Sequence, residues 1–252
     1  MISLKSDREI AMVRSSCEVV ARILDELEDA IAPGVTTASL DQIAERQCKN
    51  LGVIPAFKGY RGYPASLCIS VNQEVVHGIP SPKRTLKKGD IVGLDFGVIK
   101  DGWYGDSART LPVGSISEEA QELLQVTKEC LFEGIRECKE GNRVSDIGNA
   151  IQNYVESRGF SVVREFVGHG IGRALHEDPQ VPNFGAKGKG VPLKSGMILA
   201  IEPMINAGGP AVKVLSDGWT AVTVDSALSA HFEHTVAITP AGPEILTFGR
   251  NR

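Results

Sequence analysis

The sequence lacks several features that would set the protein apart from ordinary globular enzymes. No stretch reaches the roughly 18 consecutive apolar residues that a membrane helix needs. The 27 lysines and arginines are fewer than the 31 aspartates and glutamates, so a basic surface for nucleic acid is not expected. The first residues lack the apolar core of a signal peptide. We therefore predict a cytoplasmic protein that binds neither membrane nor nucleic acid.

Cysteine is scarce, and its spacing has no pattern. The five cysteines are an odd number, and no two of them form a CxxC pair, which argues against a disulfide framework or a zinc finger. We predict reduced, mostly buried thiols, as in other cytosolic proteins. The chain has 252 residues, of which 42% are hydrophobic, enough for one large domain or two small ones.

An internal repeat divides the chain into two related halves. The segment from Leu86 to Asp95 (LKKGDIVGLD) aligns with the segment from Leu193 to Glu202 (LKSGMILAIE), at a constant offset of 107 residues (193 − 86 and 202 − 95). Each copy is a Leu-Lys turn with glycine, followed by an apolar strand that ends in an acid. We predict a single catalytic domain over residues 1–252, with pseudo-symmetric halves of about 1–113 and 114–252. Two tandem domains are the alternative.

Each half begins with helical patterns and continues with strands. Four helices are predicted, one opening at the capping box Ser6-x-x-Glu9, one from about Thr37 to Leu51, one from Ser115-x-x-Glu118 to near Gly141, and one from about Ser145 to Arg158. The clearest predicted strands cover residues 91–98, 197–203, 220–224 and 234–238. Strands that follow helices, rather than alternate with them, favour an α+β fold with a mostly antiparallel sheet.

Asp95 and Asp106 flank a hairpin-like segment whose turn signal is Asp101-Gly102. With a two-residue loop at Asp101-Gly102 the two acids lie diagonally across the hairpin, and with a loop at Lys100-Asp101 they lie directly opposite. Both registers place them on one sheet face because side chains alternate with a period of two; a three-residue loop would separate them. Neighbouring carboxylates repel, so either one of them holds a proton or a cation lies between them.

Further acids and imidazoles lie beside apolar or glycine-rich sequence. Glu202 ends the second apolar strand, Glu233 precedes another strand, and His169 lies in a run of glycines. When each is taken alone, His169, His77 or His176 is better explained as a loop histidine that makes ordinary hydrogen bonds. Together, however, four carboxylates and one imidazole match a site for two cations with hard oxygen ligands and one nitrogen.

Six separated motifs, in family order, resemble type I methionine aminopeptidase, which has the pita-bread metallopeptidase fold. The motifs are Tyr60-x-Gly-Tyr63-Pro, Val76-His-Gly-Ile-Pro80, Asp95 with Asp106, Gly168-His-Gly-Ile-Gly172, Ile201-Glu-Pro203 and Phe232-Glu-His234. The resemblance runs over essentially the whole chain. It implies an α+β fold of two pseudo-symmetric halves, in which helices cover an antiparallel sheet.

The resemblance implies a binuclear metal site. Its ligands would be Asp95, Asp106, His169, Glu202 and Glu233. Asp106 and Glu233 would bridge two divalent ions, Asp95 would bind one ion through both oxygens, and His169 and Glu202 would bind the other. Cobalt, manganese, iron and zinc all suit this donor set, and the sequence does not choose among them.

The implied activity is removal of the N-terminal methionine from nascent proteins and peptides. A water activated between two metals about 3.5–4 Å apart would hydrolyse the first peptide bond. The free amine of the substrate would bind one metal, which accounts for exopeptidase specificity. Glu202 would also carry the proton, His176 would donate to the developing oxyanion, and His77 would contact the substrate near the scissile amide.

The resemblance also implies an apolar methionine pocket with an aromatic wall that suits sulfur. The matching positions are Phe57, Tyr60, Tyr63, Cys68, Leu175 and Trp219, beside His77 and His176. Several family members carry cysteine at the position of Phe57 and phenylalanine at that of Leu175, so the detailed shape of the pocket stays open. Taken singly, Phe57 or Tyr60 is better explained as a core residue.

Three other classes of protein are alternatives. Proline-specific peptidases share the fold but usually carry an additional N-terminal domain, for which a chain of 252 residues has no room. A binding protein that has lost its metals would lack one or more of the five ligands, and none is missing here. A ribosome-associated factor is left open, as is a transient ribosome contact of the enzyme. We expect a monomer and make no prediction about the second residue of the substrate.

Overall fold

The computed structural model describes residues 2–249 and has an α+β fold. Its helices are α1 (Asp7–Asp29), α2 (Thr37–Leu51), α3 (Glu118–Arg136) and α4 (Val144–Glu156). Its strands are β1 (Ile54–Pro55), β2 (Cys68–Val71), β3 (Glu74–Val76), β4 (Ile91–Lys100), β5 (Trp103–Pro112), β6 (Ser161–Val162), β7 (Gly168–Gly170), β8 (Glu177–Val181), β9 (Ile198–Ile201), β10 (Met204–Asn206), β11 (Val212–Val214), β12 (Ala221–Thr223), β13 (Ser229–His231), β14 (Glu233–Thr239) and β15 (Gly242–Ile245). A short 3₁₀ turn covers Tyr60–Gly62.

Local sequence signals account for most helix boundaries. The carboxylate of Glu9 accepts a hydrogen bond of 2.9 Å from the backbone N–H of Ser6, as the capping box predicts. Gly52 ends α2 in the left-handed conformation, with φ of 67°. In the second half α4 ends at Glu156, and Gly159, also at positive φ, lies in the turn beyond it. The predicted pair of helices in each half is therefore present.

The predicted boundaries of α3 are wrong at both ends. The helix begins after Ser117, whose hydroxyl accepts from the backbone N–H of Ala120, and not at Ser115. This register places two acids in the first turn, where the positive end of the helix dipole favours them. The helix ends at Arg136 and not near Gly141, because the following residues turn back towards the sheet.

One antiparallel sheet of nine strands runs through both halves of the chain. Its main path is β1-β4-β5-β14-β9-β7-β8, with β2 added beside β4 and β15 added beside β14. Two sheets of three strands flank it, β13-β10-β6 and β11-β12-β3. The α+β prediction with a mostly antiparallel sheet is confirmed. None of the helices within residues 2–249 is long and apolar enough to cross a membrane.

The internal repeat reappears in the backbone hydrogen bonds. The N–H of Gly34 donates to the carbonyl of Leu86 at 2.8 Å, and at the same offset the N–H of Gly141 donates to the carbonyl of Leu193 at 3.4 Å. Both bonds tie the turn before the second helix of a half to the turn before its apolar strand. As a result, β4 and β9 begin at equivalent positions of the two halves.

The helices of each half cover that half's part of the sheet. Leu94 of β4 is buried with side chains of α1 and α2, and Ile201 of β9 is buried with side chains of α3 and α4. Because neighbouring side chains in a strand point to opposite faces, Asp95 and Glu202 face away from the helices. The repeated apolar strand thus presents an acid to the same cavity from each half.

All five cysteines are buried, and none of them forms a disulfide. The prediction of unpaired, buried thiols is therefore confirmed. Burial raises the pKa of the Cys17 thiol to about 12, so this group stays protonated at neutral pH.

Candidate active site

The structure places all the predicted site residues around one cavity of about 190 Å³. Both halves contribute to its lining. The predicted residues that line it are Phe57, Tyr60, Tyr63, Cys68, His77, Asp95, Asp106, His169, Leu175, His176, Glu202, Trp219 and Glu233. The cavity therefore combines a cluster of acids with an aromatic wall.

The hairpin that carries two of the acids adopts the first of the predicted registers. The loop is Asp101-Gly102, and both residues have positive φ, 52° and 75°, as the favoured two-residue hairpin turn requires. Gly97 is paired with Asp106, which places Asp106 diagonally from Asp95. The turn signal alone thus brings the two carboxylates to one face of the sheet.

The second half brings an imidazole and two more carboxylates to this pair. Asp106, His169 and Glu233 each offer one ligand atom, and these three atoms lie within 4.8 Å of one another. The Oε1 atom of Glu202 lies 3.4 Å from Nε2 of His169. Asp95 lies near enough to raise the pKa of Asp106 and Glu202 by charge repulsion. The five residues predicted as metal ligands are therefore neighbours.

The hydrogen bond of His169 leaves its other ring nitrogen free to act as a ligand. Nδ1 lies 3.0 Å from the carbonyl oxygen of Gly170, which can only accept, so Nδ1 carries the proton. Burial lowers the pKa of His169 to about 3, so the ring is neutral and Nε2 has a lone pair. This lone pair faces the Glu202 carboxylate, an arrangement that a cation between the two groups would stabilise.

Asp106 and Glu233 are buried, Asp95 and Glu202 are half-buried, and within residues 2–249 the four carboxylates have no compensating positive side chain. Burial raises the pKa of Asp95 to about 7, and burial with mutual repulsion raises the pKa of Asp106, Glu202 and Glu233 well above the usual range. Within residues 2–249 no lysine or arginine nitrogen lies within 4 Å of any of them.

Several ligand atoms of the cluster have no hydrogen-bond partner. One buried oxygen each of Asp95, Asp106 and Glu233 is unpaired. A buried anion in this condition is costly unless a cation compensates it. Hard oxygen donors with one imidazole are the donor set that divalent transition metals accept. The residues present therefore fit divalent metal ions.

Between about pH 6.5 and 8, we expect the metal-free protein to lose stability as the pH rises. A carboxyl whose pKa is higher in the folded state favours folding while it is protonated, and this contribution is lost as the pH rises through the folded pKa, about 7 for Asp95. The pKa of His77 is lowered to about 4, so this residue makes stability rise with pH. It does so only below about pH 6.5, the pKa of histidine in the unfolded chain. Buried thiols contribute only above about pH 8.5.

Denaturant unfolding of chelator-treated protein at three pH values across this window measures the effect. The same series with metal-loaded protein is the control, and its stability should change less because bound cations keep the carboxylates ionised throughout. A rise in the stability of the metal-free protein across the window would contradict the assignment of the four acids as a mutually repelling cluster.

Aromatic side chains form the wall beside the acids. Tyr63 and Trp219 meet edge to face, with ring centroids 5.1 Å apart. The Tyr63 hydroxyl donates to the carbonyl of Gly78 at 2.8 Å, which fixes the orientation of the ring. Phe57 and Leu175, the two departures from the usual family residues, are both buried in the same wall. Their side chains contribute apolar surface to the wall, and the acids still line the cavity.

Two further histidines border the acid cluster. The ring centroid of His176 lies 4.3 Å from that of His169, and its Nδ1 lies 2.8 Å from the hydroxyl of Tyr60. His77 has a positive φ of 60°, and its ring meets that of Phe166 edge to face at 5.4 Å. Burial lowers the pKa of both His77 and His176, so both rings are neutral at pH 7.

Several residues without a sequence-based prediction belong to the site. The cavity is also lined by Arg61, Phe166, Val167 and Met204. The Nε2 atom of buried His231 has no hydrogen-bond partner and lies 3.7 Å from Glu202 Oε2. Each lies within two residues of a recognised motif, but this proximity did not by itself assign it a role.

Comparison with known proteins agrees with this geometry. The model of metallopeptidase family M24 matches residues 11–240. Methionine aminopeptidase 1 of Bacillus subtilis is 55% identical over 247 residues, which cover 98% of this chain and 99% of that protein. The methionine aminopeptidase of Clostridium perfringens is also 55% identical, over the same share of both chains.

Solved structures show the same relationship. The crystal structure of methionine aminopeptidase from Rickettsia prowazekii has a TM-score of 0.97 and 43% identity, and it covers 98% of this chain and 100% of that one. The prolidase from Pyrococcus horikoshii, at 23% identity and a TM-score of 0.79, shares the fold over 98% of this chain and 64% of its own. The chain belongs to metallopeptidase family M24, in which it is a homologue of the methionine aminopeptidases.

Proposed function

We propose that the protein removes the N-terminal methionine from nascent proteins and peptides by hydrolysing the first peptide bond. The observation that carries this proposal is the cluster of four mutually repelling carboxylates and one neutral imidazole beside an aromatic-walled cavity. Two divalent ions would be held by Asp95, Asp106, His169, Glu202 and Glu233. When bound, such ions polarise the scissile carbonyl and lower the pKa of the attacking water.

Glu202 is the best-placed group to carry a proton. Its carboxylate lies between two imidazoles, His169 at 3.4 Å and His231 at 3.7 Å, and its pKa is raised by burial and by neighbouring acids. A carboxylate at this position can accept the proton of the attacking water and donate it to the departing amine. Within residues 2–249 the Nε2 atom of His231 has no hydrogen-bond partner, so it is available to the Glu202 carboxylate.

His176 is placed to donate a hydrogen bond to the substrate. A Tyr60 hydroxyl that donates to Nδ1 at 2.8 Å leaves the proton of the neutral ring on Nε2. This N–H can stabilise negative charge as it develops on the carbonyl oxygen. His77, on the neighbouring wall, contacts the peptide near the scissile amide, and the aromatic wall receives the methionine side chain.

The catalytic unit is proposed to be the whole described chain, since the predicted ligands come from both halves and one sheet joins them. We further propose that the protein acts on nascent chains in the cytoplasm as a monomer, with any ribosome contact transient. The metal is proposed to be cobalt, manganese, iron or zinc, because each accepts this donor set.

Release of free methionine from Met-Ala-Ser tests the proposal, with Ala-Pro-Ser as the matched proline substrate. Chelated protein is expected to be inactive on both peptides, and addition of a divalent metal should restore methionine release only. No release of methionine with any of the four metals would overturn the proposal. Cleavage only before proline would favour a proline-specific peptidase of the same fold.

A further inference from the structure

A guanidinium without an acidic partner lies at the mouth of the cavity. Arg61 is exposed, yet it lines the same cavity as His176 and the four acids. Within residues 2–249 no carboxylate oxygen lies within 4 Å of its side-chain nitrogens. Its positive charge is therefore available to a molecule that enters the cavity.

A fixed turn presents this side chain. Arg61 has a φ of 49°, which is uncommon for a residue other than glycine, and it lies between Gly59 and Gly62, which also have positive φ. The N–H of Gly59 donates to the carbonyl of Tyr63 at 2.8 Å, and the N–H of Tyr63 donates to the carbonyl of Tyr60 at 2.9 Å. These bonds close the loop and hold the Cα of Arg61 at the rim.

The distances place Arg61 beyond the reacting groups. Its Cζ atom lies 5.4 Å from the ring centroid of Tyr60, whose hydroxyl contacts His176, and the rings of His176 and His169 are 4.3 Å apart. An extended peptide advances about 3.3 Å per residue. A substrate whose first peptide bond lies at the acid cluster, and whose chain runs past His176 and Tyr60, would bring its third or fourth residue near Arg61.

Two other charged residues of the adjoining loops, Lys58 and Asp217, are already engaged. The ammonium group of Lys58 bonds to Glu45 at 2.6 Å. Asp217, close to Trp219 in the chain, accepts from two backbone N–H groups and from the hydroxyl of Thr220. Among these loop residues Arg61 is thus the charge that a substrate side chain can meet.

We propose that Arg61 is a specificity-determining residue, which favours substrates with an acidic side chain at the third or fourth residue over substrates with lysine there. The inference rests on the proposed function, because it concerns the peptide that the site would cleave. Attraction of one charge and repulsion of the other at a solvent-exposed rim should separate the two kcat/KM values by about 3- to 10-fold.

The test compares peptides that differ only in one side chain. The first series is Met-Ala-Asp-Ala-amide, Met-Ala-Asn-Ala-amide and Met-Ala-Lys-Ala-amide, and the second moves the variable residue to the fourth position. The amide removes the C-terminal carboxylate, which would otherwise supply a second negative charge. The metal-loaded enzyme is expected to prefer Asp over Lys in at least one series, and 0.5 M salt should reduce this preference.

Variants identify the source of the preference. Arg61→Gln should bring the Asp-to-Lys ratio close to one, and Arg61→Glu should invert it. The ratio is taken within each variant, so a general loss of activity does not affect it. Lys139→Glu makes the same change of charge at an exposed position that does not line the cavity, and it should leave the ratio unchanged.

Failure of this inference is distinguishable from failure of the proposed function. If the neutral Asn peptides release no methionine, the proposed function itself fails. If they are cleaved but the Asp and Lys peptides are equal in both series, or the ratio survives in Arg61→Gln and Arg61→Glu, the role of Arg61 is overturned.

Discussion

Asp106→Asn is expected to lower kcat/KM by more than about 100-fold while leaving the metal-free protein at least as stable as the parent. Substitution of a residue that contacts only the ligands of a metal already lowers metal affinity or activity by about 10- to 100-fold. Asp106 is proposed as a direct, bridging ligand, so a larger effect is expected. The amide keeps the shape of the side chain but loses the charge. Both metal content and activity should therefore fall together.

The expected gain in stability without metal follows from the charges around Asp106. Within residues 2–249 one of its oxygens is buried without a hydrogen-bond partner, and burial together with repulsion from Asp95 raises its pKa. Removal of one acid from the cluster relieves this repulsion in the folded state. The Tm of chelated Asp106→Asn at pH 8 should thus equal or exceed that of the parent, and added metal should raise it less.

Asp146→Asn is the matched control. Asp146 is also buried, but its two oxygens accept from the N–H groups of Arg143 and Gly188, and these bonds lower its pKa. An amide has one acceptor oxygen, so one of these bonds is lost and Tm should fall, while metal stoichiometry stays as in the parent. A drop in the metal-free Tm of Asp106→Asn as large as that of Asp146→Asn would contradict the repulsion account.

His176→Ala is expected to lower kcat by about 10²- to 10³-fold with little change in metal content. The imidazole is proposed to donate to the developing oxyanion, and no metal ligand is removed. Steady-state kinetics with Met-Ala-Ser, together with the metal content of the purified variant, measures both quantities. If metal is lost in step with activity, His176 has a structural role at the metal site and not the proposed one.

Two further variants test the N–H donor of His176 separately from the Tyr60 hydroxyl that orients the ring. His176→Asn keeps an N–H donor on a shorter side chain and should recover part of kcat. Tyr60→Phe removes the hydroxyl that lies 2.8 Å from Nδ1, so the ring loses its orienting partner but keeps the donor. Its loss of kcat should be smaller than that of His176→Ala. If Tyr60→Phe lost as much kcat as His176→Ala, Tyr60 itself would contact the reacting group.

Local signals in the sequence predicted local structure well where one interaction decides it. The turn Asp101-Gly102 set the register of the β4-β5 hairpin because both residues tolerate positive φ. The start of α3 was predicted wrongly because Ser115 and Ser117 are both acceptable caps, and in the structure it is the Ser117 hydroxyl that accepts from the N–H of Ala120. A local pattern does not choose between two such caps.

The candidate site likewise contains residues that could be predicted from the sequence and residues that could not. The family resemblance nominated its ligands and pocket residues, and the fold places all of them around one cavity. It did not nominate His231 or Arg61. His231 matters through its distance to Glu202, and Arg61 because within residues 2–249 no carboxylate oxygen lies within 4 Å of its side-chain nitrogens. Both are properties of residues far apart in the chain, which no local pattern encodes.

The repeated strand shows what each level decides. By itself the sequence determined the two apolar strands, the acid at the end of each, and a hairpin signal that places Asp95 and Asp106 on one face of the sheet, because period, turn chemistry and burial act over a few residues. Only the tertiary structure decided that Asp95 and Glu202, 107 residues apart, face one cavity with His169 and Glu233. That outcome depends on β14, which pairs with β5 on one side and β9 on the other and so joins the two halves into one sheet.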